Sequence, residues 1–161
     1  MREPITLSSS SYDPSGASVQ PSIRLMVSVL AGKYLPKPAG ALEGEVIDPY
    51  VEVRLCGCPA DNATNCTPVV ENDGFNPRWA DGSGKNVFTY DIRRPETALL
   101  LFVVRDSDMG PDELVGWYGL RLPMVRQGLR LVPLLDQHSV PLQVSTLFVH
   151  VSIDEIDKDG N

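Results

Sequence analysis

The residues best suited to do chemistry in this chain are two carboxylates, Asp106 and Asp108, which follow an apolar run. If that run is a β-strand, side chains two positions apart point the same way, so the carboxylates lie close together. Their like charges repel, and a hard divalent cation relieves that repulsion. Calcium takes about six to eight oxygen ligands in irregular geometry, which suits a loop. The pair therefore indicates a calcium site, with an acidic surface turn as the alternative.

The spacing that follows Asp106 does not fit a helix–loop–helix calcium site. Such a loop has Gly at its sixth position and a helix on each side. Here Gly110 is fifth, Pro111 is sixth, and the preceding segment has the pattern of a strand. The ligands must therefore come from loops that connect strands.

The segments that would carry these loops alternate apolar and polar residues with a period of two, which is typical of half-buried strands. Gly, Pro, Asn and Asp fill the intervals, and the pattern predicts at most a turn of helix at 123–127. The sequence therefore predicts an all-β fold, an antiparallel sandwich or barrel. Its eight predicted strands are 23–29, 50–56, 67–70, 87–92, 99–105, 115–122, 129–134 and 147–153.

The composition predicts one folded unit between two polar ends. Residues 1–22 are rich in Ser and Pro and form a predicted linker, 23–154 form the domain, and 155–161 form an acidic tail. The chain has no apolar run of roughly 20 residues and no signal-peptide pattern, so we expect a cytoplasmic location. Its three cysteines are an odd number, which does not suggest a disulfide framework.

The net charge of −7 argues against nucleic acid as a partner, because phosphate binding requires a basic surface. It also argues at first against an anionic membrane. That second conclusion depends on where the acids lie, since an acidic cluster that binds cations changes its local charge.

Three loop motifs occur in order along the chain: IDPYV at 47–51, NDGFNPRW at 72–79 and VRDSD at 104–108. Together with QGLR at 127–130 and STLFV at 145–149, they resemble the C2 domain of phosphoinositide-specific phospholipases C. The resemblance covers nearly the whole chain, and residues 1–4 and 12–14 resemble the segment that joins the catalytic barrel of that family to its C2 domain. It implies an eight-stranded antiparallel β-sandwich of phospholipase-type topology, with its calcium loops at one end.

The resemblance also implies a ligand set. Either Asp112 or Glu113 supplies a later carboxylate of the third loop, and one to three calcium ions are expected because Glu43 and Glu45 stand where many C2 domains carry a further Asp. The other implied ligands are Asp48 in the first loop and Asn72 in the second. The third loop contributes Asp106 and Asp108.

Bound calcium would reverse the charge of this end and let phosphates of an anionic phospholipid membrane complete the coordination, which is an electrostatic switch. Phe75, Pro77 and Trp79 are expected to pack inside. Two lysines, Lys33 and Lys37, are expected to contact headgroup phosphate, and each contributes about 1 kcal/mol. The apolar residues expected to insert into the bilayer are Leu35, Ala41, Leu42, Met109 and Leu114.

No catalytic centre is expected in this chain. Neither His138 nor His150 lies in a recognisable acid–base motif, and no nucleophile-elbow motif is present. The resemblance implies a parent enzyme that hydrolyses phosphoinositides in a separate barrel, with this domain as its membrane attachment. Two alternatives remain: a metal-free scaffold that packs on the barrel, with the Leu100 and Phe102 face as the contact, and a protein-interaction module.

Overall fold

The computed structural model describes residues 12–38 and 44–157. No helix within these ranges has the length and apolar character needed to cross a membrane. Three short 3₁₀ helices occupy Pro59–Asp61, Pro95–Thr97 and Leu122–Met124. The strands are β1 (Ile23–Lys33), β2 (Pro49–Cys56), β3 (Ala63–Cys66), β4 (Val87–Ile92), β5 (Leu99–Asp106), β6 (Glu113–Arg121), β7 (Gly128–Leu135) and β8 (Pro141–Glu155).

All neighbouring strands are antiparallel, in the order β3-β2-β5-β6-β7-β8-β1-β4. Strands β6 and β7 are joined by the single pair Trp117–Leu135, so the sheet folds there into two four-stranded layers. The layers β3-β2-β5-β6 and β7-β8-β1-β4 enclose the core between them. The predicted eight-stranded antiparallel sandwich is therefore confirmed.

The core lies between the layers because every second residue of each strand points inward. In β5 the inward residues Leu100, Phe102 and Val104 are at most 1% exposed, whereas Leu99 on the outer face is 42% exposed. The expectation that the Leu100 and Phe102 face could contact a neighbouring domain is therefore wrong. That face packs on the opposite layer.

The third strand lies earlier than the sequence predicted. β3 is Ala63–Cys66, and residues 67–70 continue alongside β2 without forming a regular ladder. Thr67 and Val70 still donate backbone hydrogen bonds to the carbonyls of Val51 and Pro49. Pro68 has no N–H to donate, which interrupts the pairing between them.

The described part of the predicted linker, residues 12–22, lies against the sandwich. The Arg94 guanidinium donates a hydrogen bond to the Asp13 carbonyl, and Ser22 N–H donates to the Ile92 carbonyl. A side chain at Gly16 would meet Cys58 Sγ at 2.5 Å, so the chain approaches the sandwich closely there. The predicted turn of helix at 123–127 is the shorter 3₁₀ turn Leu122–Met124.

Candidate metal centre

Three loops meet at one end of the sandwich: loop 1 (described at 34–38 and 44–48), loop 2 (67–86) and loop 3 (107–112). Loops 1 and 2 are cross-linked by backbone hydrogen bonds, from Tyr34 N–H to the Phe75 carbonyl and from Leu35 N–H to the Gly74 carbonyl, both at 2.9 Å. Loops 1 and 3 meet because the first residue of β2 pairs with the last residue of β5. The topology therefore places the acids of all three loops at the same end.

Asp106 is the buried member of the acidic group, with 3% of its surface exposed. Its carboxylate accepts a hydrogen bond of 2.7 Å from Asp48 N–H. Burial raises the pKa of Asp106, and the negative charges of Asp108, Asp48 and Glu45 raise it further, although the hydrogen bond opposes them. Asp108, Asp48 and Glu45 therefore each lie within electrostatic reach of Asp106, as the pattern Asp-Ser-Asp predicted for Asp108.

Asp48 connects all three loops. Its carboxylate accepts a hydrogen bond of 2.6 Å from Asn72 N–H in loop 2, and its carbonyl accepts one of 3.0 Å from Ser107 N–H in loop 3. Asn72 has φ of +54°, a left-handed conformation that Asn adopts more readily than most residues. Asp48, Asn72, Asp106 and Asp108 are thus brought together, although Asn72 contacts Asp48 through its backbone.

The donor chemistry of this group fits a hard divalent cation. The ligands on offer are carboxylate oxygens, and Asp48 and Asp106 each have one of two oxygens bound to backbone N–H. The raised pKa of Asp106 reflects burial and the negative charges around it. Within residues 12–38 and 44–157, however, no three or more His, Cys, Asp or Glu side chains are arranged as a group that could hold a metal ion.

The two alternative acids, Asp112 of loop 3 and Glu113 at the start of β6, have different neighbours. The Asp112 carboxylate accepts a hydrogen bond of 2.6 Å from the Tyr50 hydroxyl, and burial together with Asp112 raises the pKa of Tyr50. Glu113 is paired with Asp106 across β5 and β6. Opposed residues of an antiparallel pair point to the same face, so the register places Glu113 on the face of Asp106.

The residues expected to contact lipid differ in how exposed they are. Leu35 is 7% exposed and packs in the core, so it is not available for insertion, which corrects that expectation. Met109 is fully exposed, and Lys33 and Lys37 are exposed. Leu114 is half-buried. Ala41, Leu42 and Glu43 lie outside the described residues.

Sequence reasoning placed Phe75 in the core, and this was wrong. Pro77 and Trp79 are buried as expected, and the Trp79 indole donates a hydrogen bond to the Pro68 carbonyl. Phe75 is 68% exposed and packs edge-on against Tyr34, which is 48% exposed, with ring centroids 4.8 Å apart. The only signal in the sequence was the Gly and Pro around Phe75, which indicate a turn.

Residues 23–136 match the family model described as C2 domain, and that match covers well over half of the chain. With the two-layer sandwich, it establishes the class: the chain belongs to the C2 domain family. It fits the C2 domain of the phosphoinositide phospholipases C. Over 145 residues it is 36% identical to human 1-phosphatidylinositol 4,5-bisphosphate phosphodiesterase delta-3, covering 89% of this chain and 18% of that protein.

A second human relative has a different description. The chain is 36% identical over 154 residues to inactive phospholipase C-like protein 2, covering 95% of this chain and 13% of that protein. The chain thus spans less than a fifth of the curated relatives it matches. Because both descriptions occur among relatives of equal identity, similarity in this domain does not by itself decide whether a parent protein is catalytic.

Solved structures agree on the fold. The crystal structure of S. officinalis PLC21 superposes with a TM-score of 0.71 at 22% identity, covering 89% of this chain and 17% of that one. A C2 domain of plant extended synaptotagmin 1 gives a TM-score of 0.69 at 23% identity and covers 86% of this chain and 99% of that one.

Proposed function

We propose that this domain docks on anionic phospholipid membranes when calcium binds at the loop end, as part of a phosphoinositide-specific phospholipase C. The observation that carries the proposal is the acidic group around Asp106, whose pKa is raised by burial and by Asp108, Asp48 and Glu45. Without a cation this end repels anionic lipid. A buried carboxylate with other negative charges around it is costly unless something compensates its charge.

The residues of the chain prepare the site in distinct ways. Asp48 N–H fixes the orientation of the Asp106 carboxylate, and the Asp48 carboxylate fixes loop 2 through Asn72. Asp108 is exposed, so its side chain can rotate toward the others when a cation arrives. Calcium, when bound, supplies positive charge and coordination positions for phosphate oxygens. We propose one to three ions, with Glu113 favoured over Asp112 as a further ligand because of its register.

The parent protein is part of the proposal. We propose that it hydrolyses a phosphoinositide to diacylglycerol and inositol phosphate in a separate barrel, and that this domain, without catalytic residues of its own, attaches the barrel to the membrane. The description of human delta-3 as a 1-phosphatidylinositol 4,5-bisphosphate phosphodiesterase supports the proposed hydrolysis by the parent protein. We place the parent in the cytoplasm, with peripheral membrane attachment that depends on calcium.

The decisive experiment removes two carboxylates at the loop end. We expect Asp106→Asn with Asp108→Asn to abolish calcium-dependent co-sedimentation with phosphatidylserine-containing vesicles while the thermal unfolding transition stays cooperative. Asp154→Asn with Glu155→Gln is the matched control, because it also removes two negative charges. These two residues end β8 beside the start of β1, at the end of the sandwich opposite the three loops. Undiminished binding by the first double variant would reject the proposal.

A metal-free scaffold is the second candidate, and one observation favours it. The described acids are close enough to interact but are not arranged as a ready metal-holding group. Titration calorimetry separates the candidates: the scaffold predicts no heat and no change in Tm on addition of calcium. Calcium binding that disappears in the Asp106→Asn and Asp108→Asn variant favours membrane docking.

A further inference from the structure

A cleft opens along the side of the sandwich between β6 and β7, which are joined only by the pair Trp117–Leu135. Beyond that pair, residues 118–121 of β6 and 128–134 of β7 are not paired with each other. β6 begins after loop 3 and ends at Arg121, so this unpaired stretch lies in the half of the sandwich away from the three loops. The cleft and the acidic group are therefore separate features of the domain.

The cleft has an apolar floor and a volume of about 200 Å³. The floor is formed by Leu100 and Phe102 of β5 and by Val149 and Val151 of β8, each of which is at most 2% exposed. A single bound water needs roughly 15 Å³ and several polar partners, and apolar cavities do not provide the partners. The floor therefore suits an apolar occupant better than water.

The rim of the cleft continues this apolar surface outward. Met124 is 70% exposed and Leu131 is 67% exposed, although both side chains are large and apolar. Tyr118 is half-buried and directly opposes Phe102 across β6 and β5, so its ring is on the face that points to the floor. Exposed apolar side chains that lead into a buried apolar floor are typical of a ligand-binding groove.

Two arginines on the rim, Arg126 and Arg130, give the cleft a positive charge. Neither forms an ion pair with a carboxylate of the described residues. The Arg130 guanidinium is held at the rim by hydrogen bonds that it donates to three preceding carbonyls, those of Arg126, Gln127 and Leu129. Residues 114–135 include three arginines and no Asp or Glu, in a chain with a net charge of −7. The cleft thus combines an apolar floor with a locally positive rim.

We infer that this cleft binds a free fatty acid, with the alkyl chain on the floor and the carboxylate at Arg126 and Arg130. A guanidinium suits a carboxylate because its planar fork can donate two parallel hydrogen bonds. The charge of the rim favours an anionic head over a neutral or cationic one. A cleft of about 200 Å³ admits a single alkyl chain and not the broad surface of a bilayer. The inference goes beyond the proposed function and does not depend on it.

Titration calorimetry with octanoate and decanoate tests the floor. The titrations are made in chelator, which prevents precipitation of calcium salts, and below the concentrations at which micelles form. Burial of two further methylene groups tightens binding about tenfold, so we expect decanoate to have about one tenth of the Kd of octanoate. Equal Kd values, or binding only after micelles have formed, overturns the inference.

Amphiphiles with the same chain and different heads test the rim. We expect decanol to bind about tenfold more weakly than decanoate, and decyltrimethylammonium more weakly still. Arg126→Gln should weaken decanoate about tenfold and leave decanol unchanged, because it removes a charge-assisted contact. Arg78→Gln is the matched control, since it removes the same charge from an exposed arginine of loop 2. If decanoate binds both variants as tightly as the wild type, the carboxylate is not held at the rim and the inference fails.

A change at Met124 reverses the charge preference without touching the core. Met124→Glu places a carboxylate on the exposed rim, so the fold should be retained, as a cooperative unfolding transition in urea would show. We expect this variant to lose decanoate binding and to bind decyltrimethylammonium more tightly than the wild type does. An unchanged preference for decanoate contradicts the assignment.

Methyl resonances in NMR spectra locate the chain. Decanoate should shift the methyl signals of Leu100, Leu131 and Val132, which line the cleft, and leave those of Val46 and Val69 in loops 1 and 2 unchanged. Shifts confined to residues outside the cleft overturn the inference. Asp106→Asn with Asp108→Asn should bind decanoate as the wild type does, so failure of the proposed function and failure of this inference are separate outcomes.

Discussion

At the scale of single residues, the negative charges around Asp106 predict that this carboxylate lowers the stability of the domain without a cation and contributes to cation binding. Its pKa is raised in the folded state, so the ionised form destabilises folding near neutral pH when no cation is present. We expect Asp106→Asn to raise Tm in chelator by about 2–4 °C, which corresponds to roughly 1 kcal/mol in a domain of this size. The Asn oxygen can still accept the hydrogen bond from Asp48 N–H.

Differential scanning fluorimetry with and without calcium checks this prediction. The wild type should gain Tm in calcium, and Asp106→Asn should gain little. Asp91→Asn is the contrasting control, because the pKa of Asp91 is lowered by Arg24 and the loss of that exposed pair has a small effect of the opposite sign. A lower Tm for Asp106→Asn in chelator contradicts the account.

Sequence patterns predicted the positions of some loop residues and not of others. The spacing of Asp106 and Asp108 and the motif around Asp48 were sufficient to predict that these acids lie together. The exposure of Phe75 was not predictable, because it depends on Tyr34, which is distant in sequence and has a left-handed backbone conformation. Leu35 was misplaced for the same reason: only tertiary packing decides whether a loop residue next to a strand turns inward.

At the scale of elements, the contact between loops 1 and 2 depends on a glycine. A side chain at Gly74 would meet Ile47 Cγ1 at 2.6 Å, so Gly74→Ala must push the loops apart. We expect it to lower the free energy of unfolding by about 1–3 kcal/mol and to weaken calcium binding. Gly110→Ala in loop 3 is the control, because nothing lies within 4 Å of its added Cβ. Urea unfolding compares the two; equal stability would show that the loops do not pack tightly.

The two layers are also connected by Tyr90, whose buried hydroxyl on β4 donates a hydrogen bond of 3.1 Å to the Val53 carbonyl on β2. Burial raises the pKa of Tyr90, so the folded state keeps its proton at a pH where the unfolded chain loses it. The contribution of this residue to stability is therefore complete below about pH 10 and falls as pH rises further, by up to about 1.4 kcal/mol per pH unit.

Tyr90→Phe should show both consequences. At pH 7 we expect a loss of about 1 kcal/mol from the missing hydrogen bond. Above about pH 10 the variant should lose stability less steeply than the wild type, so the two curves converge. Urea unfolding from about pH 7 to 11 measures this difference, and parallel curves over the whole range would contradict the assignment.

Strand β3 shows why one element was displaced in the prediction. Residues 63–66 are Ala-Thr-Asn-Cys, which have little of the β-branched or aromatic character that marks a strand, whereas residues 67–70 end in two valines. Pairing with β2 is provided by backbone hydrogen bonds, which composition does not reveal. A proline in the more apolar segment was the available signal, since it confines regular pairing to the residues before it.

At the scale of the whole molecule, alternation and turn residues were sufficient to predict an antiparallel all-β fold of eight strands, although the third strand lies at 63–66 and not at 67–70. They did not predict that β6 and β7 share a single pair, because that junction depends on how the layers twist and pack. The position of the charges also matters, and the net charge alone does not reveal it. The net charge of −7 describes the chain from a distance, whereas the acids at the loop end decide what happens in contact with a surface.

This difference predicts salt effects of opposite sign. In chelator, both the net charge and the loop end repel phosphatidylserine vesicles, so adding salt should leave residual binding unchanged or increase it. In calcium, the loop end attracts the vesicles, so adding salt should weaken binding as the screening length falls from about 10 Å at 0.1 M to about 3 Å at 1 M. Co-sedimentation at several NaCl concentrations measures both. Asp106→Asn with Asp108→Asn should follow the chelator curve even in calcium. If binding of the wild type responds to salt in the same direction with and without calcium, charge reversal at the loop end is not what docks this domain.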